Sequence, residues 1–279
     1  MPSSEIEILG YRLRVIAPAQ VLEPLRNRLA TPTGLIDAGD AGYSATIRVT
    51  EARPGHYRIE RDGAHTVVLP SSSAVGYLEW LIHAVAIGRL RRCYLMLHAG
   101  AVALGGAGFV LCAASGSGKS TLTAALVASG CAYLSDEVAA IDPLTLQMHP
   151  YPRNLCVKAG SLTALAPYYP ELAGAAPETR GDGEAVWYLR PPDERWQRDP
   201  VPVRQIVFPR YEPGAATVLA PLSRGLALER LAAQSFTGSA LGARTTGTLA
   251  QLVMDAGCFE LVVGSLPEGV AAVRSLAGG

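Results

Sequence analysis

Residues 108–141 read GFVLCAASGSGKSTLTAALVASGCAYLSDEVAAI, and the fold turns on how this stretch is parsed. Phe109-Val110-Leu111-Cys112 is a short apolar run of the length and side-chain type a buried strand needs. A loop of small residues follows. A helical run through Leu122, Ala125, Leu126 and Ala128 comes next, with Gly130 placed to end it. A second apolar segment, Cys131-Ala132-Tyr133-Leu134, then runs into Ser135-Asp136-Glu137. The pattern predicts strand, loop, helix, strand. If the two strands are parallel, both carboxylates emerge at the sheet edge that carries the loop, where open α/β sheets bind ligands.

Within the loop, Ala113-Ala114-Ser115-Gly116-Ser117-Gly118-Lys119-Ser120 ends with the Gly-Lys-Ser spacing of a phosphate-binding (Walker A) loop. Gly116 and Gly118 let successive backbone N–H groups turn toward phosphate oxygens. Lys119 supplies a mobile charge for the outer phosphates, and the Ser120 hydroxyl is a hard oxygen ligand suited to Mg²⁺. The helix that opens here adds the positive end of its dipole. The nucleotide-binding set is therefore Ser115, Gly116, Ser117, Gly118, Lys119, Ser120 and Thr121. The competing reading, a flexible Gly/Ser turn, leaves the Lys-Ser pair after Gly118 unexplained. Asp136 could hold the metal through water or take a proton from an attacking hydroxyl, with Glu137 sharing the task. A solvated acidic turn is the alternative.

Ser135-Asp136-Glu137 so soon after Gly118-Lys119-Ser120, with Leu97-His98-Ala99-Gly100 just upstream, resembles the catalytic core of the HPr serine kinase/phosphorylases and their kinase-like relatives. The resemblance covers roughly Leu97 to Ile141. It implies an α/β fold with a mixed sheet, a P-loop kinase core of the HPr kinase/PEP carboxykinase type. It also implies ATP and Mg²⁺ as cofactors, Asp136 as catalytic acid/base, Glu137 assisting with metal, and His98 close to the reacting phosphate. The metal set is then Ser120, Asp136 and Glu137. Two positions depart from the family pattern: Ala113 stands where a glycine is usual, and Glu137 where the bifunctional enzymes have a second Asp.

The rest of the chain bounds this reading. Lys plus Arg number 24 and Asp plus Glu number 24, a balance that argues against a polyanion-binding surface and so against a nucleic-acid partner. Five scattered cysteines without metal-ligand spacing, and an N-terminus lacking a signal core, predict reduced thiols in a cytoplasmic protein. Residues 93–118 contain no Asp, Glu, Lys or Arg and would score as a membrane span. Gly105-Gly106 breaks the run, so two buried strands, Tyr94 to Leu104 and Gly108 to Cys112, are expected and no membrane contact.

Domain organisation is read as a small α+β module over 1–90 and a P-loop catalytic domain over 91–279. The first part alternates short strands and turns from Glu5 to Leu69, with a helix over Leu22 to Leu29. Ser71-Ser72-Ser73 should cap a helix whose packed face includes Val75, Leu78, Trp80, Leu81, Ala84 and Ile87. His83 on it reads as packed or surface, not as a ligand. Downstream, Arg153 and Lys158 are candidates for neutralising charge on a transferring phosphoryl group, with Arg210 behind them. Residues 172–184, LAGAAPETRGDGE, form either a lid or substrate loop or a disordered excursion. Helices are expected over Ser223 to Phe236 and Ala240 to Ala256. The expected activity is transfer of the γ-phosphoryl of a nucleoside triphosphate to a hydroxyl. The acceptor would be a serine of a protein or peptide, or alternatively a small hydroxylated metabolite such as free serine. A nucleotide-driven motor or switch, disfavoured because the later strands end in Pro209-Arg210 and Gly264-Ser265 with no acid, and a non-catalytic nucleotide-binding module are the remaining alternatives, and a homo-oligomer is compatible with the chain.

Overall fold

A computed structural model of the chain describes residues 1–29, 44–63, 65–238 and 240–278. It is a mixed α/β structure with three sheets and, among the described residues, seven α-helices. Strands β1 (Ser3–Ile8) and β2 (Tyr11–Ile16) pair antiparallel, α1 (Ala19–Arg28) follows, and β3 (Ala45–Arg53) returns parallel to β2. Strands β4 (His56–Arg61) and β5 (His65–Pro70) complete a five-stranded sheet in sequential order. The alternation of apolar and polar residues puts Ile6, Ile8, Leu13, Val15, Ile47, Val49 and Ile59 into one buried cluster with α1 and the helix that follows β5. The expected strands and turns between residues 30 and 43 lie outside the described residues.

Helix α2 (Ser71–Leu90) departs from its expected cap: Pro70 holds the N-cap position, no side chain caps the helix, and the three serines lie inside the first turn. Proline fixes its own φ and offers no N–H, so it can end β5 and open α2 in one step. The packed face differs too. Trp80 is 55% exposed and Ala84 is exposed, whereas Glu79 and His83 are buried. The helix lies between the N-terminal sheet and a large cleft, so its buried surface extends around to the cleft side.

The charge-free stretch folds as two strands, β6 (Leu95–Leu104) and β7 (Ala107–Cys112), and no helix of the described residues is long and apolar enough to cross a membrane. Gly105 and Gly106 both have positive φ, 60° and 82°, as a tight hairpin turn between right-twisted strands requires. Next come α3 (Lys119–Ala128), β8 (Ala132–Ser135), β9 (Val138–Ile141), β10 (Gln147–His149) and β11 (Leu155–Lys158). A short α4 (Leu162–Leu165), β12 (Glu178–Thr179) and β13 (Ala185–Leu189) follow, and β11, β13 and β12 form a small sheet. The chain closes with β14 (Val201–Tyr211), β15 (Val218–Pro221), α5 (Arg224–Ala233), α6 (Ala243–Asp255), β16 (Gly257–Val263) and α7 (Leu266–Ser275).

The eight-stranded sheet runs β10-β9-β6-β7-β14-β16-β15, with β8 paired to β6 beside β9. Strands β7, β14 and β16 are mutually parallel. Strands β7 and β8 are each antiparallel to β6 and flank it on opposite sides, so they point the same way. The C-terminal ends of β7, β8, β14 and β16 therefore share one sheet edge. Helix α3 covers the sheet there through buried Leu122, Ala125 and Leu126, packed with Phe109, Leu111 and Val207. Burying each of the larger side chains is worth about 1.5–3 kcal/mol. Gly100 on β6 permits the close approach, because a Cβ there would collide with the Thr123 hydroxyl of α3.

Candidate functional site

The loop between β7 and α3 has the backbone its glycines allow: Gly116 and Gly118 sit at φ +83° and +85°. Ala113 is not among the residues with positive φ, so the missing glycine introduces no strain. Gly118 is the N-cap of α3 and no side chain caps the helix, which leaves the first-turn N–H groups free to meet an anion. Ser117 steadies the turn by donating its hydroxyl to the Ala114 carbonyl at 2.8 Å. Ser115 and Gly116 are exposed at the tip. The Thr121 hydroxyl lies 2.6 Å from that of Ser161, a hydrogen bond in which either can donate.

Lys119 is 6% exposed, and its Nζ has no hydrogen-bond partner. Burial lowers its pKa, and Glu137, Asp136 and Cys112 oppose that shift. An ammonium group desolvated without a partner is costly unless a negative ligand completes it. Asp136 and Glu137 form the bend between β8 and β9. The amide of Cys156 on β11 donates to Asp136 Oδ2 at 3.1 Å, while Oδ1, equally buried, has no partner. Burial first and the neighbouring Glu137 second raise the Asp136 pKa to about 6, against the Cys156 amide, the Lys119 ammonium and the Ser120 hydroxyl.

Glu137 faces two basic side chains: Oε1 lies 3.4 Å from His98 Nε2 and Oε2 lies 3.8 Å from an Arg153 Nη. Burial works to raise its pKa, but Arg153, His98, Lys119 and Arg180 outweigh it and hold the carboxylate ionised. His98 on β6 is stacked on Phe236, centroids 5.7 Å apart. Burial and the charges of Lys119 and Arg153 lower its pKa against the pull of Glu137, so the ring is neutral at pH 7. Phe236 reaches it because α5 ends at Ala233, earlier than expected, and the following residues run alongside β6.

Arg153 lies in the stretch leading to β11 and bridges two carboxylates, Glu137 and Glu79 of α2, the latter at 3.4 Å. Burial opposes its charge, but Glu137 and Glu79 reverse that and raise its pKa. Glu79 is 1% exposed; it also receives Arg28 at 3.3 Å and the Tyr188 hydroxyl at 2.5 Å. A chain of ion pairs thus runs from α1 toward β6, through Arg28, Glu79, Arg153 and Glu137, with neutral His98 beside the last. The sequence reading missed Glu79. Its signal was there, a single carboxylate within the otherwise uncharged run Gly76–Ile87.

These groups surround a cavity of about 850 Å³. Residues 172–184, read as a lid or an excursion, are ordered: Arg180–Glu184 turn between β12 and β13 and line the cavity. That turn is seated against α2 through two glycines. A Cβ on Gly76 would lie 2.7 Å from the Thr179 carbonyl oxygen, and one on Gly181 would lie 2.8 Å from the Gly76 carbonyl oxygen. Lys158 lines the cavity but is paired with Glu184 at 2.8 Å. Arg210 is placed elsewhere: it is exposed and paired with Glu212 at 2.7 Å, outside the cavity wall. His83 is packed, its Nδ1 3.0 Å from the Tyr151 hydroxyl.

Among the described residues no group of three or more His, Cys, Asp or Glu side chains forms a ready-made metal site. Mg²⁺ in phosphoryl-transfer sites takes most of its ligands from phosphate and water, and one or two protein oxygens suffice. The orphaned Asp136 Oδ1 beside Ser120 fits that demand. No protein-family model matches the chain, and a search of the curated proteins finds no match.

Proposed function

We propose that the chain is an ATP-dependent kinase with a P-loop core of the HPr serine kinase-like type, transferring the γ-phosphoryl group to a hydroxyl, most plainly a serine of a protein or peptide. The observation that carries this reading is the pairing of a buried, unpartnered ammonium, Lys119, with a buried carboxylate, Asp136, whose free oxygen and raised pKa suit proton transfer near neutral pH. A module that only held nucleotide would need the first and not the second.

In this reading the loop amides and Lys119 hold the outer phosphates. Ser120 would hold Mg²⁺, with Asp136 reaching it through water, and the metal when bound would draw charge from the transferring group. Asp136 takes the proton of the acceptor hydroxyl as its oxygen attacks the γ-phosphorus, and the bond to the β,γ-bridging oxygen breaks to release ADP. Arg153, fixed by Glu79 and Glu137, and neutral His98 line the side on which charge builds. Incubation with γ-labelled ATP, Mg²⁺ and serine-containing peptides or free serine tests the reading: label on a hydroxyl supports it, and intact nucleotide overturns it.

A further inference from the structure

The cavity has two ends of opposite character, divided by the loop. On one side, the N-terminal half of β6, the bend after β8 and the approach to β11 supply His98, Glu137 and Arg153. On the other, the ends of β14 and β16 and the start of α7 supply Pro209, Tyr211, Val263 and Leu266, and among the described residues none of the carboxylates or cations lining the cavity comes from these segments. Tyr211 is 53% exposed, while Phe208 on the same strand is buried, so core packing does not account for the Tyr211 ring. Its backbone is tied to the loop: the Tyr211 N–H donates to the Ser117 carbonyl at 3.1 Å. A Cβ added to Gly118 would sit 3.2 Å from Tyr211 Cβ, so the side chain departs directly beside the phosphate cradle.

Resting on the nucleotide reading of that cradle, we infer that Tyr211 is the platform on which the nucleobase stacks. A triphosphate whose outermost group faces Lys119 and Asp136 must direct its inner end away from the carboxylates, because sheet order puts β8 on one side of β7 and β14 on the other. The inner end then leads past Gly118 to the apolar wall. Arg210, between Pro209 and Tyr211, is turned to Glu212 and brings no charge there. Every base has a π-face, so a stacking platform among Pro209, Val263 and Leu266 binds the nucleoside with little choice between purines.

Calorimetric titration of the full chain with ATP, GTP and inorganic tripolyphosphate, each with Mg²⁺, tests the assignment. Tyr211→Ala is expected to weaken ATP binding about ten-fold, as loss of a stacking aromatic does. Tripolyphosphate binding should stay within about two-fold, and Tyr211→Phe should keep wild-type affinity for both, in line with stacking as the source. GTP should bind wild type within a few-fold of ATP. Equal losses for ATP and tripolyphosphate, or undiminished ATP binding by Tyr211→Ala, overturn the platform and leave the cradle standing. Wild-type protein that binds neither ligand removes both.

Discussion

Asp136 sits where its charge is least welcome, and two measurable consequences follow. In the proposed role of proton acceptor it must be ionised, so kcat/KM is expected to rise with pH through about 6, the value to which burial and Glu137 push it. Asp136→Asn should lower kcat by roughly 10²–10⁴-fold at saturating Mg²⁺ and ATP; transfer at the wild-type rate under those conditions would remove Asp136 from this role. The stability effect has the opposite sense. A carboxylate raised from 3.8 to about 6 makes no difference below the lower value, where both folded and unfolded chains are protonated. Between those values the unfolded chain ionises first and stability falls as pH rises. Asp136→Asn is therefore expected to raise the melting temperature at pH 7 and not at pH 3, a pattern that thermal melts at the two pH values would check. Lys119, Ser120 and Asp136 were legible in the sequence because loop, helix and second strand follow one another directly. Glu79 stood out only as a lone carboxylate in an uncharged run, and its partners needed the packing of α2; Tyr211 was not legible, since it needs the order of strands in the sheet.

Among the elements, the β6–β7 hairpin, α3 and the β14 and β16 strands were readable from apolar runs and glycine punctuation, because each carries its signal locally. The turn at Arg180–Glu184 was not. Its small and charged residues fit disorder as well as order, and what fixes it is the approach of Gly181 to Gly76, far apart in sequence. Gly76→Ala should therefore be unfavourable although alanine is the better helix former. The new methyl would press on backbone at Thr179 and Arg180, neither the flexible end of a side chain. Stability is expected to fall by about 1–3 kcal/mol, with amide exchange quickened at the turn and not along β7. If exchange there is unchanged, the glycine contact does not hold the turn.

At the scale of the whole molecule, the N-terminal sheet and the loop-bearing sheet share buried contacts. Met96, Val138, Ala140 and Tyr151 belong to the cluster formed by the N-terminal strands and α2. Urea unfolding followed by tryptophan fluorescence, dominated by Trp80, Trp187 and Trp196, should coincide with unfolding followed by circular dichroism. Separate midpoints would show that the two parts unfold independently. The ionic chain crosses the same boundary. Glu79→Ala would leave Arg28 and Arg153 facing each other without their common carboxylate, and a loss of about 3–5 kcal/mol is expected from denaturant titration. Glu79→Gln should lower kcat more than it changes the KM for ATP, since it loosens Arg153 and leaves the loop alone.

The Arg28–Glu79–Arg153 linkage also limits how such chains can be recombined. An N-terminal module grafted from another protein would leave the buried Arg153 guanidinium with Glu137 alone unless it carried an acid at the position of Glu79 and a matching base at that of Arg28. Functional chimeras are then expected only when those two residues travel together.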